Sequence, residues 1–163
     1  MAQSVEESPV ESSTEIASGR EFVNRRAVSS AVVAGVAGGV VFGGLLQSMG
    51  MLPVVASLYG LEGLAWGWVA HIVHSVVFAL VFAGIVTGTG LRKYAGDVTA
   101  DVGLGAAYGA VLWFVAAAIA MPLWMSAVGL DAPAVPNLDV ASLGGHLLYG
   151  VVLGAVFAVA YRR

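Results

Sequence analysis

Residues 64–86 read LAWGWVAHIVHSVVFALVFAGIV and contain no Asp, Glu, Lys or Arg. A helix of about 20 apolar residues crosses the hydrocarbon core of a bilayer, so this run predicts a membrane-spanning helix. Three further runs without charge lie at roughly residues 27–49, 102–125 and 140–161. Barrel strands would be shorter and would alternate in polarity, which these runs do not. We therefore predict an all-α membrane protein whose residues 21–163 form a single domain, a bundle of four transmembrane helices.

The composition supports a lipid environment. Of the 163 residues, 59% are hydrophobic and only 10% are charged, whereas a soluble domain carries about 25% charged residues. The absence of cysteine excludes disulfides, thiolate metal sites and cysteine nucleophiles. Residues 1–20 are rich in Ser and Glu and poor in large apolar side chains, which predicts a disordered acidic tail rather than a signal peptide.

The basic residues predict the orientation of the chain. Positive charge is retained on the cytoplasmic side of a membrane, and the loops at residues 50–63 and 126–139 contain no Lys or Arg. With four spans, all basic residues fall on one side. We expect a plasma-membrane protein with both termini in the cytoplasm. The residues that set this topology are Arg25, Arg26, Arg92, Lys93, Arg162 and Arg163.

The second and fourth predicted helices resemble each other. AHIVHSVVFALVFA at residues 70–83 aligns without gaps with GHLLYGVVLGAVFA at residues 145–158. The first and third helices align more weakly, through glycines at similar spacing. A true duplication would give two helix hairpins of the same orientation, related by an axis along the membrane normal.

Three histidines lie within the predicted spans, where an ionisable residue is a functional candidate by default. His71 and His146 occupy matching positions of the two copies, and His74 lies about one turn deeper. We expect the three to approach one another, and Tyr149, in the place of His74 in the other copy, to hydrogen-bond across the bundle. Structural hydrogen bonding, metal or haem binding, and proton or ligand handling remain alternatives.

Small residues follow His71 and His146 at four-residue spacing. Such stripes let helix backbones approach closely in lipid. We therefore expect His71 and His146 to lie at the beginning of these helix interfaces rather than to face lipid. The predicted packing residues are Ser75, Ala79, Ala83, Gly150, Gly154 and Ala158.

Apart from the first residue, the methionines cluster near the ends of the predicted helices that lie opposite the basic residues. Imidazole and thioether groups are ligands of copper(I), although Met also fills irregular gaps in a core. Haem would need two axial ligands and space between helices, which close packing of the second helix on the fourth would remove. The cofactor therefore stays open between none, copper and haem. The candidate metal or proton site comprises His71, His74, His146, Tyr149, Met49, Met51, Met121 and Met125.

Three segments together carry a family resemblance: GWVAHIVHSVVFALVF at 67–82, GLGAAYGAVLWFVAAAIAMPLW at 103–124 and PNLDVASLGGHLLYG at 136–150. Over roughly residues 27–161 the chain resembles an uncharacterised family of small four-helix membrane proteins of halophilic archaea. The resemblance implies a fold but no activity. Some members carry a histidine-kinase label, which we do not transfer because this sequence contains no glycine-rich nucleotide box.

The sequence offers little support for an enzyme. It contains no G-x-S-x-G elbow, P-loop or H-E-x-x-H motif, and no carboxylate falls within a predicted span. We expect a non-catalytic accessory or assembly subunit that packs through its small-residue faces, with the lipid bilayer and other membrane subunits or further copies of itself as partners and no nucleic acid. A metal- or haem-binding protein and a small channel or carrier are the competing hypotheses.

Overall fold

The computed structural model describes the backbone of residues 9–163 and the side chains of residues 25–163. This part of the chain forms helices and turns and contains no strand, which confirms the predicted all-α fold. A 3-10 turn and a π-helical segment accompany six α-helices. In chain order the elements are α1 (Pro9–Ser48), α2 (Leu52–Ser57), α3 (Leu64–Gly88), the 3-10 turn (Gly90–Tyr94), α4 (Val98–Leu112), the π-helical segment (Trp113–Ala120), α5 (Met121–Ala127) and α6 (Val140–Arg162).

Four helical stretches are long and apolar enough to cross a membrane, as in a multi-pass membrane protein: Arg25–Ser48, Leu64–Gly88, Val98–Ala127 and Val140–Arg162. We call Val98–Ala127 the third span. It begins before the predicted residue 102, because the Asp97 side chain caps α4 by accepting a hydrogen bond from the Ala100 amide at 2.8 Å. The prediction that no carboxylate lies within a span is therefore wrong, since Asp101 lies in the first turn of α4.

Helix α1 reaches back further than predicted. Its backbone is helical from Pro9, so it overlaps residues 9–20 of the predicted acidic tail. Residues 1–8 lie outside the described residues, as do the side chains of residues 9–24. The predicted disorder of the tail stays a prediction.

The turn Gly90–Tyr94 marks the end of the bundle that we call the basic end. Its Arg92 and Lys93 are exposed. The C-terminal turn of α6 reaches the same end, where Gly96 lies against the Arg162 side chain. The interior near this end is filled by aromatic rings. Phe82 and Phe157 are fully buried, and their rings meet edge to face with centroids 5.6 Å apart.

The opposite end, which we call the α2 end, is closed by α2. Leu52 of this short helix is completely buried. Its carbonyl lies where Gly67 of α3 would carry a Cβ, so the absence of a side chain at Gly67 lets α2 dock against α3. The π-helical segment lies near the same end. Its Ala118 carbonyl accepts a hydrogen bond from the Asn137 amide at 2.8 Å.

The helices pack in the spatial order α3, α1, α6, α4. Helices α3 and α4 complete the bundle through side chains rather than close backbone approach. The Tyr108 hydroxyl of α4 donates a hydrogen bond to the Phe78 carbonyl at 2.8 Å, and its ring lies 5.5 Å from that of Phe82.

Two helix hairpins, α1 with α3 and α4 with α6, pack through equivalent small residues. In the first hairpin, a Cβ on Gly35 would meet Ala79 at 2.8 Å and a Cβ on Gly39 would meet Ser75 at 2.7 Å. In the second, Gly105 faces Gly150 and Gly154, and Gly109 faces Gly150 and the His146 carbonyl.

The predicted packing residues Ser75, Ala79, Ala83, Gly150, Gly154 and Ala158 are all buried. Ser75 and Ala79 pack against α1, whereas Gly150 and Gly154 pack against α4. The stripes therefore join each hairpin internally. Close packing of α3 on α6, on which the argument against haem depended, does not occur.

Candidate functional site

A cavity of about 430 Å³ lies inside the α2 end of the bundle. All four spans, α2 and the loop before α6 contribute to its wall. The wall is mainly apolar with a few polar groups, and it includes Phe42, Leu46, Val55, Leu58, Phe78, Leu112, Ala116, Ala117, Ala120, Trp124, Asn137, Asp139, Ala141 and Ser142. Pockets of this size and composition are typical of small-molecule sites, and they occur between the helices of bundles.

Seven of the eight residues proposed from sequence line this cavity: His71, His74, His146, Tyr149, Met49, Met51 and Met121. Met125 does not. It lies in α5 one turn beyond Met121, and the cavity wall there is formed by Trp124 instead. The three histidines converge because they lie at comparable distances from the same end of the bundle.

The His71 ring is anchored by a hydrogen bond between neighbouring helices. Its Nε2 lies 3.0 Å from the carbonyl oxygen of Gly39 on α1. A carbonyl oxygen only accepts hydrogen bonds, so Nε2 carries the proton and donates it. In the neutral ring, Nδ1 then holds a lone pair, and no side chain or backbone group of the described residues hydrogen-bonds to it.

The His146 ring is anchored within its own helix. Its Nδ1 lies 2.8 Å from the carbonyl oxygen of Ser142, one turn earlier in α6. By the same reasoning Nδ1 donates, and Nε2 of the neutral ring is the free acceptor. The Ser142 hydroxyl lies farther from the ring, at 3.5 Å.

Phe42 separates the two anchored imidazoles, and the sequence analysis did not identify it. Its ring centroid lies 5.6 Å from that of His71 and 4.8 Å from that of His146, with edge-to-face geometry in both contacts. Phe42 is the only aromatic residue in the first predicted span, but that span is apolar throughout, so the sequence does not show which helices Phe42 faces.

His74 belongs to a separate aromatic group with Tyr59 and Trp124. The Tyr59 hydroxyl hydrogen-bonds to His74 Nε2, and the rings of Tyr59 and Trp124 meet edge to face at 5.0 Å. Burial raises the pKa of the Tyr59 phenol, which therefore keeps its proton at neutral pH. Tyr and Trp are common at the edges of membrane spans, and the sequence alone indicates nothing further for Tyr59 and Trp124.

Two hydroxyl groups complete the deep side of the cavity. The Tyr149 hydroxyl donates to the Ser75 carbonyl at 2.6 Å, which joins α6 to α3 as expected for Tyr149. The Ser75 hydroxyl donates to the His71 carbonyl at 2.9 Å. Both protons are thus committed to backbone oxygens.

The cavity wall is short of positive charge. Asp139 is its one carboxylate among the described residues, and no Lys or Arg belongs to it. Asp139 caps α6 by accepting a hydrogen bond from the Ser142 amide at 2.6 Å. An anionic ligand would therefore lack a charged partner here, which argues against the propionate groups of haem.

A metal site built from histidine and carboxylate alone is not supported. Within the described range, no group of three or more His, Asp or Glu residues is close enough to hold an ion. A soft ion could still use imidazole with the methionine sulfurs of Met49, Met51 or Met121, which share the cavity.

Asp101 lies apart from this cavity. It is completely buried, and its Oδ2 accepts a hydrogen bond from the Gly96 amide at 2.8 Å. Among the described residues, its Oδ1 is the only buried side-chain nitrogen or oxygen without a hydrogen-bond partner. The sequence analysis missed Asp101 because the predicted third span begins at residue 102, immediately after it.

Comparisons with known proteins add no assignment: no protein-family model, curated protein or solved structure matches the chain.

Proposed function

We propose that this chain is a plasma-membrane protein that binds a small, mainly apolar molecule in the cavity at the α2 end. The observation that carries the proposal is the convergence of three histidines and a tyrosine on one cavity of about 430 Å³ that is lined by residues of all four spans. The polar groups would orient the ligand and the apolar wall would provide most of the affinity.

The distribution of charge supports the orientation given with this proposal. Lys and Arg of the spans and their connections lie at the basic end, which favours a cytoplasmic location for that end and an external location for the cavity. Because the chain lacks cysteine, single variants such as Thr89→Cys and Ser126→Cys can be labelled selectively in intact cells. A membrane-impermeant maleimide should label Ser126→Cys and leave Thr89→Cys unlabelled; the reverse pattern would overturn the orientation.

The small-residue faces no longer argue for an accessory subunit, since they are used within the two hairpins. Assembly with other chains stays a hypothesis.

Binding is tested by filling the cavity. Ala117 lines it, whereas Val115 in the same π-helical segment is exposed on the opposite side. Purified protein in nanodiscs should be titrated with 4-propylphenol and followed by calorimetry. Ala117→Trp should abolish saturable binding, and Val115→Trp should retain it. Saturable binding that is unchanged in Ala117→Trp would show that the cavity is not the site.

Copper(I) is a second candidate, favoured by one specific observation. The free nitrogens of His71 and His146 both belong to rings whose other nitrogen is held by a backbone carbonyl, which is how metal-ligating histidines are usually oriented. Competition with a copper(I) chelator tests it: removal of Met121 together with His146 should weaken copper binding, and an unchanged affinity would exclude the site.

A further inference from the structure

The deep side of the cavity has an unusual hydrogen-bonding character. Four polar side chains lie there, and each has already given its proton to a backbone carbonyl. His71 donates to Gly39, His146 to Ser142, Ser75 to His71 and Tyr149 to Ser75.

The groups left free on this side are all acceptors. They are Nδ1 of His71, Nε2 of His146 and the second lone pairs of the two hydroxyl oxygens. The two ring nitrogens are not among the buried atoms that lack a partner in the described part of the chain. They therefore border open space, and both rings line the cavity.

From this we infer that the ligand of the cavity carries a hydrogen-bond donor, a hydroxyl or N–H group, on an otherwise apolar body. The inference rests on the proposed binding function and adds the class of ligand. A donor would satisfy an imidazole lone pair inside the apolar cavity. At these four side chains, a ligand with only acceptors, such as an ether or a carboxylate, would place its lone pairs against those of the protein without a proton between them. The imidazole lone pairs would then stay unpaired, which favours ligands that carry a donor.

Two substitutions remove the free lone pair while keeping each anchoring bond. In His71→Gln, the amide nitrogen takes the place of Nε2 and still donates to Gly39, but nothing replaces Nδ1. In His146→Asn, the amide nitrogen takes the place of Nδ1 and still donates to Ser142, but nothing replaces Nε2. Thr87→Val is the control, because Thr87 donates a hydrogen bond to the Ala83 carbonyl within α3 and does not line the cavity.

The probes are 4-propylphenol, its methyl ether 4-propylanisole and the anion 4-propylbenzoate, titrated into protein in nanodiscs and corrected with Ala117→Trp for partition into lipid. The wild type should bind the phenol about tenfold more tightly than the ether, as expected for one buried hydrogen bond, and should not bind the benzoate. His71→Gln and His146→Asn should each reduce this preference, and their combination should remove it while the affinity for the ether stays unchanged. Thr87→Val should retain the preference.

The possible negative results of these titrations lead to different conclusions. Equal affinity of the wild type for phenol and ether, or a preference that survives in the double variant, would overturn the inference and leave the binding function standing. If neither neutral probe binds in a way that Ala117→Trp abolishes, the proposed function itself fails. Thermal unfolding of each variant in the same nanodiscs shows whether its fold is intact.

Discussion

The two hairpins use the same positions for packing, but different atoms meet there. In the first hairpin, the α3 atom nearest to a Cβ on a glycine of α1 belongs to a side chain, as where Gly39 faces the Ser75 side chain. In the second, glycine faces backbone: a Cβ on Gly105 would fall on the Gly150 carbonyl, and a Cβ on Gly150 would fall on the Gly105 carbonyl. The second hairpin is therefore the closer pair, with no side chain between the helices.

This difference explains why equivalent histidines are anchored differently. His71 has space to reach α1 and donates to Gly39. Gly109 stands in the place of Gly39 in the second hairpin, but there a Cβ would already contact the His146 backbone. The imidazole of His146 cannot enter so close an interface, and it turns back to Ser142 on its own helix. One hairpin thus ties a histidine to its partner helix, and the other leaves its histidine attached to a single helix.

The most damaging change should be Gly105→Ala. The added methyl group would overlap the Gly150 carbonyl. Because this carbonyl belongs to the helix backbone, the overlap is relieved only if α4 and α6 move apart. We expect a loss of about 3 kcal/mol or more in the free energy of unfolding, at the upper end of overpacking effects. Unfolding in a titration with denaturing detergent measures it.

Gly103→Ala is the matched control in the same helix, since a Cβ at Gly103 would meet no atom within 4 Å. It should be neutral or stabilise the protein by up to about 1 kcal/mol through helix propensity. Equal losses in the two variants would contradict the backbone contact.

Gly39→Ala should cost less, about 1–2 kcal/mol, because its methyl group would meet the Ser75 side chain at 2.7 Å rather than backbone. Removing that side chain should then compensate. In a double-mutant cycle with Ser75→Gly, measured by the same unfolding titration, we expect a favourable coupling of about 1 kcal/mol. Additive losses would show that the two residues do not limit the spacing of α1 and α3.

Tyr108→Phe tests the side of the bundle where the two hairpins meet without close backbone approach. The variant loses the hydrogen bond to the Phe78 carbonyl, so we expect a loss of about 1 kcal/mol in thermal or detergent-induced unfolding. Tyr94→Phe, at an exposed position of the basic end, serves as the control. A loss no larger than that of the control would mean that this bond contributes nothing to joining α3 and α4.

The smallest effect is expected for Asp101→Asn. The amide oxygen can still accept from the Gly96 amide, and the buried position no longer holds a carboxyl group with one unpartnered oxygen. Stability should change by less than about 1 kcal/mol, whereas Asp101→Leu should cost more by leaving the Gly96 amide unpaired. Equal destabilisation by both variants would reveal a partner on Oδ1 that requires a carboxylate.

The spans could be predicted because absence of charge over about 20 residues is a strong signal in lipid. Ser75, Ala79 and Ala83 are buried together, because small residues at four-residue spacing share one helix face. Which helix packs against this stripe could not be predicted. The spans are apolar on every side, so no difference in polarity between their faces indicates which helix is the neighbour. For the same reason the sequence did not show that Phe42 lies between the two histidines.

Two other features escaped the sequence analysis for local reasons. The short helix α2 lies in a segment treated as a loop, because six residues are too few for helical periodicity to show. The π-helical segment changes the backbone hydrogen-bonding pattern inside an uninterrupted apolar run, so nothing in the residue types marks it. The candidate site was nevertheless predictable in outline, because depth along a helix can be counted from sequence.

The exposed turn Gly90–Tyr94 gives the chain a natural point of division. Trypsin cleaves after Lys and Arg, and between residues 27 and 161 such residues occur only at Arg92 and Lys93. A cut there separates α1 and α3 from α4 and α6, so that each fragment retains one complete glycine interface. The same enzyme finds no cleavage site in the loops of the α2 end. Protease digestion thus both divides the molecule into its two structural units and reports which face of the membrane the enzyme has reached.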